Sequence, residues 1–117
     1  MNNEEKRTHK RYSGNALGEI ILPKDVVEGI VTDISFGGFY IKDEQFSSDY
    51  LGEEVDIKIT AKLNSNSYSL EGRSRIVRCD DDGMGLFFIG MGNEDITVLG
   101  KLILNLSLQE SEVSFND

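Results

Sequence analysis

From Val55 to Leu63 the chain reads Val-Asp-Ile-Lys-Ile-Thr-Ala-Lys-Leu, an apolar residue at every second position with a polar one between. Successive side chains of a strand point to opposite faces, so a period of two dictates a strand with one buried and one wet face. Such a strand needs neighbours on both edges, and the flanking sequence supplies them. Ala16–Leu22, Gly29–Ser35 and Phe39–Ile41 are short runs rich in Ile, Val, Leu and aromatic residues. Pro23, Lys24 and Asp25 read as the turn between the first two, and Gly37-Gly38 leads into the third. Downstream, Asn64–Ser67 reads as a turn, Tyr68–Cys79 as a long strand, Asp80–Gly83 as a turn and Gly85–Ile89 as a sixth strand. The acidic stretch Asp43–Glu54 breaks periodicity and reads as a long connection. Together these predict a mainly β fold, a six-stranded antiparallel barrel, because closure removes the unpaired edges of an open sheet.

Near the end the period changes. Ile96, Leu99, Leu102, Ile103 and Leu106 recur at intervals of three and four, so Asn93–Leu108 predicts a C-terminal α-helix whose apolar stripe packs on the barrel. Asn93 reads as its N-cap, with Glu94 and Asp95 at the positive end of the helix dipole. With 117 residues the chain suits one domain. It divides into a polar arm at 1–12, expected to be mobile, a barrel with its helix at 13–109, and an acidic tail at 110–117, expected to fray.

The formal net charge of −9 opposes binding of nucleic acid and of anionic membranes. Cys79 has no second cysteine to pair with, so a reducing cytoplasm is the expected compartment. No His/Cys cluster offers a metal site, and His9 stands alone. No run approaches the ~20 apolar residues that span a bilayer, so no membrane insertion is expected. Against this acidic background stands the basic cluster Lys6, Arg7, Lys10 and Arg11. Arginine's planar fork of donors matches a phosphate, or the O6/N7 edge of a guanine, with two parallel hydrogen bonds. Asp33 and Ser35, two residues apart, share one face of an extended segment and could reach one base edge. Gly37 and Gly38 permit a tight reversal or a close backbone approach.

Arg7 and Arg11 form RxxxR, and Asp33, Ser35 and Gly38 form DxSxxG. With these two motifs in this order and at this distance, the chain resembles the PilZ domains, bacterial receptors for cyclic di-GMP. Gly83–Phe88 (GMGLFF) is similar to the late glycine-to-phenylalanine strand of that family. The resemblance implies a split-barrel fold, cyclic di-GMP as ligand with no other cofactor, and an output protein, not identified by the sequence, that receives the signal. It implies that Arg7 and Arg11 grip phosphate and guanine, while Asp33, Ser35 and the Gly37-Gly38 turn approach a guanine. Lys6 and Lys10 would add charge, Tyr12 could lie against a base, and Arg75 and Arg78 could line the site. Ligand would then act by ordering Met1–Tyr12 over the barrel mouth.

Each residue also has a structural use. Arg7 and Arg11 alone would be a solvated terminus, since exposed ion pairs contribute only ~0–1 kcal/mol. Asp33 and Ser35 could cap a turn, and Arg73 could balance nearby acids. Phe36, Phe39, Tyr40, Phe87 and Phe88 read as core, and Cys79 as a small hydrophobe. The alternative function is a PilZ-like adaptor with weak or no nucleotide binding. A small barrel for single-stranded nucleic acid needs a basic groove, which the charge disfavours. No nucleophile–base set or P-loop appears, so an enzyme is not expected.

Overall fold

The alternating segment forms strand β4 (Glu54–Leu63), with Val55, Ile57, Ile59 and Ala61 buried and Asp56, Lys58, Thr60 and Lys62 reaching solvent. In the computed structural model, which describes residues 16–42, 48–63 and 65–115, both edges of this strand are taken. β1 (Ala16–Leu22) sets Ile20 opposite Ile57, and β5 (Asn66–Asp80) sets Leu70 opposite Ile59. With β2 (Asp25–Ile34), β3 (Gly38–Lys42) and β6 (Gly83–Gly90), the order is β1-β2-β3-β6-β5-β4. Every pairing is antiparallel, and the β1–β4 pairing closes the barrel. The expected mainly β, six-stranded barrel with a C-terminal helix is therefore the fold.

Several boundaries differ from the sequence reading, mostly because the turns are tighter. β2 begins at Asp25 and not at Gly29: Pro23 and Lys24 alone make the turn, and Val26 and Val27 continue the ladder opposite Ile21 and Ile20. Proline presets the turn's φ, and the β-branched valines suit the pleat, so no longer loop is required. The Val26 N–H also donates to Asp25 Oδ1 at 2.8 Å. β5 starts at Asn66, after Ser65 reverses the chain at φ 71°, in the left-handed region. β3 includes Gly38 and Lys42, and β6 spans Gly83–Gly90, leaving only Asp81 and Asp82 for the turn before it. Ser48–Tyr50 form one 3₁₀ turn within the acidic connection.

Helix α1 (Asn93–Phe115) packs along β5 and continues past Leu108, beyond its expected end. Leu99, Leu102 and Ile103 are buried in the barrel core, as the stripe requires. Ile96, expected in that stripe, instead faces outward at 47% exposure. The Glu71 N–H donates to Asp95 Oδ1 at 2.9 Å, which turns Asp95 towards β5. The next helical residue is rotated by about 100°, so Ile96 leaves the sheet. Among the described residues no helix is long and apolar enough to cross a membrane.

Ser74, on β5, is the one buried polar side chain among the described residues, and its Oγ lacks a hydrogen-bond partner. A buried unpaired hydroxyl costs about 1–3 kcal/mol. Ser74→Ala is therefore expected to raise stability by about 1 kcal/mol, read as a higher urea midpoint at unchanged m-value. A lower midpoint would show that the hydroxyl finds a partner in solution.

Candidate functional site

The site is built by two β-bulges. Between Val31 and Asp33 the β2–β3 register shifts, so Thr32 is an extra residue, and Asp33 comes opposite Tyr40. Between Ile76 and Arg78 the β5–β6 register shifts in the same way, with Val77 extra and Arg78 opposite Gly85. A bulge changes which face the following side chains take. Val31 and Ile34 both remain buried, while Asp33 between them turns to the outside with Tyr40. Because Tyr40 is itself opposite Gly85, the four residues Asp33, Tyr40, Gly85 and Arg78 stand in one row across β2, β3, β6 and β5.

Gly85 leaves the middle of that row open. The Arg78 guanidinium spans it, its Cζ 5.4 Å from the centre of the Tyr40 ring, a cation–π distance. Arg78 Nε donates to Asp80 Oδ2 at 2.9 Å, and the Tyr40 hydroxyl donates to the same oxygen at 3.0 Å and to Asp82 Oδ1 at 3.2 Å. Lys42 Nζ lies 3.9 Å from Asp82 Oδ2. The hydrogen bond from Arg78, and then that from Tyr40, holds the Asp80 carboxyl below its ordinary pKa. Burial, reinforced by the two carboxylates that accept its proton, pushes the Tyr40 hydroxyl above its usual range. Arg78 is raised as well, chiefly by Asp80 and in smaller part by the nearby charges of Tyr40 and Asp33.

Beyond Ile34 the chain turns through Ser35, Phe36 and Gly37. The Ser35 N–H donates to the Gly38 carbonyl at 2.9 Å, and Ser35 Oγ accepts from the Gly37 N–H at 3.1 Å. The turn-capping use of Ser35 is thus realised, and its own O–H can still donate to an outside acceptor. The Phe88 N–H donates to the Gly37 carbonyl at 3.0 Å, fastening the turn to β6. Neither Gly37 nor Gly38 has a positive φ, so the glycine pair does not serve a left-handed reversal. Gly38 serves close approach: a Cβ there would lie 2.1 Å from the Leu86 carbonyl oxygen. Gly83 is similar, since its Cβ would meet the Ile41 carbonyl at 2.4 Å and the Tyr40 hydroxyl at 2.7 Å.

Of the residues singled out from the sequence, Asp33, Ser35, Gly37, Gly38 and Arg78 come together on this outer face. Arg75 lies two pairs further along, opposite Phe87 and ion-paired with Glu54. Arg73 pairs with Asp56 at 3.0 Å, as its structural reading expected. Lys6, Arg7, Lys10, Arg11 and Tyr12 lie outside the described residues. The aromatic reading needs correction. Phe39 is buried and Phe88 packs on the core, but Phe36 and Phe87 are 54% and 53% exposed, and Tyr40 faces outward. Alternation in β3 and β6 sends Phe87 to the face opposite Phe88, and Tyr40 to the face opposite Phe39 and Ile41. The row also includes Tyr40, and Asp80 and Asp82 accept its hydroxyl from beyond the row; no motif marked any of the three. Alternation within Gly38–Lys42 was the signal available for Tyr40, and the spacing of two between Arg78 and Asp80 for the other pair.

The sequence profile of the PilZ domain matches residues 5–105. The chain belongs to the PilZ domain family. No curated protein matches it in sequence. Solved structures do share its fold. The Bacillus subtilis inhibitor of motility MotI (DgrA) superposes with a TM-score of 0.73 at 16% identity, covering 89% of this chain and 52% of that one. The PilZ domain of CeSA from a cellulose-synthesizing bacterium gives 0.63 at 18% identity, with 84% and 98% covered. MrkH of K. pneumonia in its apo state gives 0.63 at 14% identity, with 96% and 55% covered. This PilZ chain thus spans about half the length of MotI and of MrkH.

Two outcomes are expected of the PilZ outer face. Gly38→Ala should cost about 1–3 kcal/mol or more, because backbone must move to admit the methyl group; an unchanged thermal midpoint would mean that β3 and β6 are further apart. Arg78→Gln should raise the Asp80 pKa towards its ordinary value, observed by carboxyl-carbon NMR titration. A depressed folded-state pKa stabilises above the unfolded value, and this contribution disappears as pH falls through the folded value. Arg78→Gln should therefore lessen the acid-side loss of stability, and an unmoved Asp80 titration would exclude Arg78 as its cause.

Proposed function

We propose that this PilZ domain is a receptor for cyclic di-GMP that passes the signal to a partner protein. The observation that carries the reading is the convergence of Asp33, the Ser35 turn, Arg78 and an exposed Phe87 ring on one outer face. A guanine offers N–H donors on its Watson–Crick edge, which suit the Asp33 carboxylate, and O6/N7 acceptors, which suit an arginine fork. Two phosphates in one small ligand suit the two forks of Arg7 and Arg11, with Lys6 and Lys10 adding positive potential. Arg78, Arg75, Phe87 and Tyr12 would flank the bases, and aromatic stacking on a base is worth about 1–3 kcal/mol. Such a receptor, which we place in the cytoplasm, acts through what its bound surface contacts.

Isothermal titration calorimetry with cyclic di-GMP tests this. Saturable binding is expected, with GTP and linear dinucleotides much weaker. Arg7→Ala, Arg11→Ala or Asp33→Ala should each cost roughly 1.5–3 kcal/mol of affinity, a loss of about 10- to 150-fold. The two arginine variants should keep their thermal midpoint. Absence of saturable heat at millimolar ligand would refute the receptor reading and leave a PilZ adaptor that works by protein contact alone.

A further inference from the structure

The outer face of the β1–β2 hairpin carries an arrangement that neither the barrel nor the row at Asp33 uses. Register sets three pairs side by side on it: Leu17 opposite Ile30, Glu19 opposite Glu28, and Ile21 opposite Val26. The four aliphatic side chains are between 42% and 54% exposed. Two apolar cross-strand pairs therefore flank a pair of like charges. Carboxylates directly opposite each other on an antiparallel pair repel. Lys58 on β4 is in register with Glu19, yet among the described residues no ion pair reaches either Glu19 or Glu28. The face leaves apolar area in water and two facing carboxylates with a single lysine, Lys58, beside them, and one kind of occupant relieves both.

We propose that this face docks a basic amphipathic helix of a partner protein, with two apolar anchors on the Leu17–Ile30 and Ile21–Val26 pairs and a Lys or Arg between the Glu19 and Glu28 carboxylates. Four residues of strand separate Leu17 from Ile21, about 13 Å. Two turns of helix cover about 11–12 Å, so anchors at i and i+7 or i+8 with the cation at i+3 or i+4 fit that spacing. A second copy of this chain is the wrong occupant. A two-fold contact would bring four carboxylates together, and the net charge of −9 opposes self-association and anionic lipid alike. The chain's own basic run, Lys6–Arg11, lacks apolar anchors. The same net charge speeds encounter with a cationic partner. This proposal goes beyond the cyclic di-GMP reading and stands whether or not nucleotide binds.

The test uses peptides as probes. A phage-displayed library of random 16-residue peptides is selected on the full chain and counter-selected on a variant carrying Glu19→Lys and Glu28→Lys, with circular dichroism melts to establish that the variant folds. If it does not, Glu19→Gln with Glu28→Gln takes its place. Enriched peptides should carry the apolar–basic–apolar pattern. A synthetic representative should bind the native chain about ten-fold or more tighter than the variant, and Leu17→Ser with Ile30→Ser should weaken it comparably. Exchanging the peptide's central Lys or Arg for Glu should abolish its binding to the native chain. Peptides without a basic residue, equal binding to both proteins, failure to enrich any sequence, or a dimer in sedimentation that the variant disrupts would each overturn the proposal. Calorimetry with cyclic di-GMP on the same preparations reports on the nucleotide site independently.

Discussion

Asp33 and Arg78 share one outer row because an extra residue is inserted just before each of them, Thr32 in β2 and Val77 in β5. Plain alternation from the buried Val31 would send Asp33 inward and Ile34 outward. An unpaired carboxylate in that core would cost several kcal/mol, and the isoleucine would leave apolar area in water. The bulge at Thr32 removes both costs, keeping Val31 and Ile34 in the core and aiming Asp33 out. The bulge at Val77 does the same for Arg78 after Ile76. The core and the candidate site thus depend on the same two insertions, and deleting either residue would scramble both.

Stability and surface chemistry come from different sides of the same strands. Exposed ion pairs contribute about 0–1 kcal/mol, so Arg78, Asp80, Asp82 and Lys42 do little to hold the barrel together. Burial of residues such as Ile20, Ile41, Ile57 and Ile76 does that. The charged row instead holds shape: two carboxylates fix the Tyr40 hydroxyl, and Asp80 fixes the Arg78 fork over the Tyr40 ring. Groups mounted on paired strands and tied to one another present a preorganised surface, which lowers the ordering cost of whatever binds it. Gly38 and Gly83 complete it by being small where backbone, and at Gly83 the Tyr40 ring as well, approach too closely for a Cβ.

β2 is common to both outer surfaces. Ile30 belongs to the hairpin face, and Asp33, past the bulge, belongs to the row. A nucleotide on one and a protein helix on the other would therefore meet along one strand, a short and rigid path for coupling the two. The same strand leads directly into the Ser35–Gly37 turn, whose Phe36 ring a Cβ placed on Gly100 of α1 would meet at 3.8 Å.

Periodicity alone determined the fold class. The alternation of Val55–Leu63 and the three-four spacing of Leu99, Leu102 and Ile103 translate directly into faces, because side-chain direction is a local property of a strand or helix. The motif residues Asp33, Ser35 and Gly38 were legible as a set because they are close in sequence. The pairing partners were not, because register is decided by which apolar face each strand must bury against the others. No local pattern marks Thr32 or Val77 as a bulge, or Gly38 as the place where a carbonyl from β6 leaves no room for a Cβ. The aromatic residues show the limit well: Phe87 and Phe88 are identical neighbours in sequence, and only barrel closure decides that one joins the core while the other faces water.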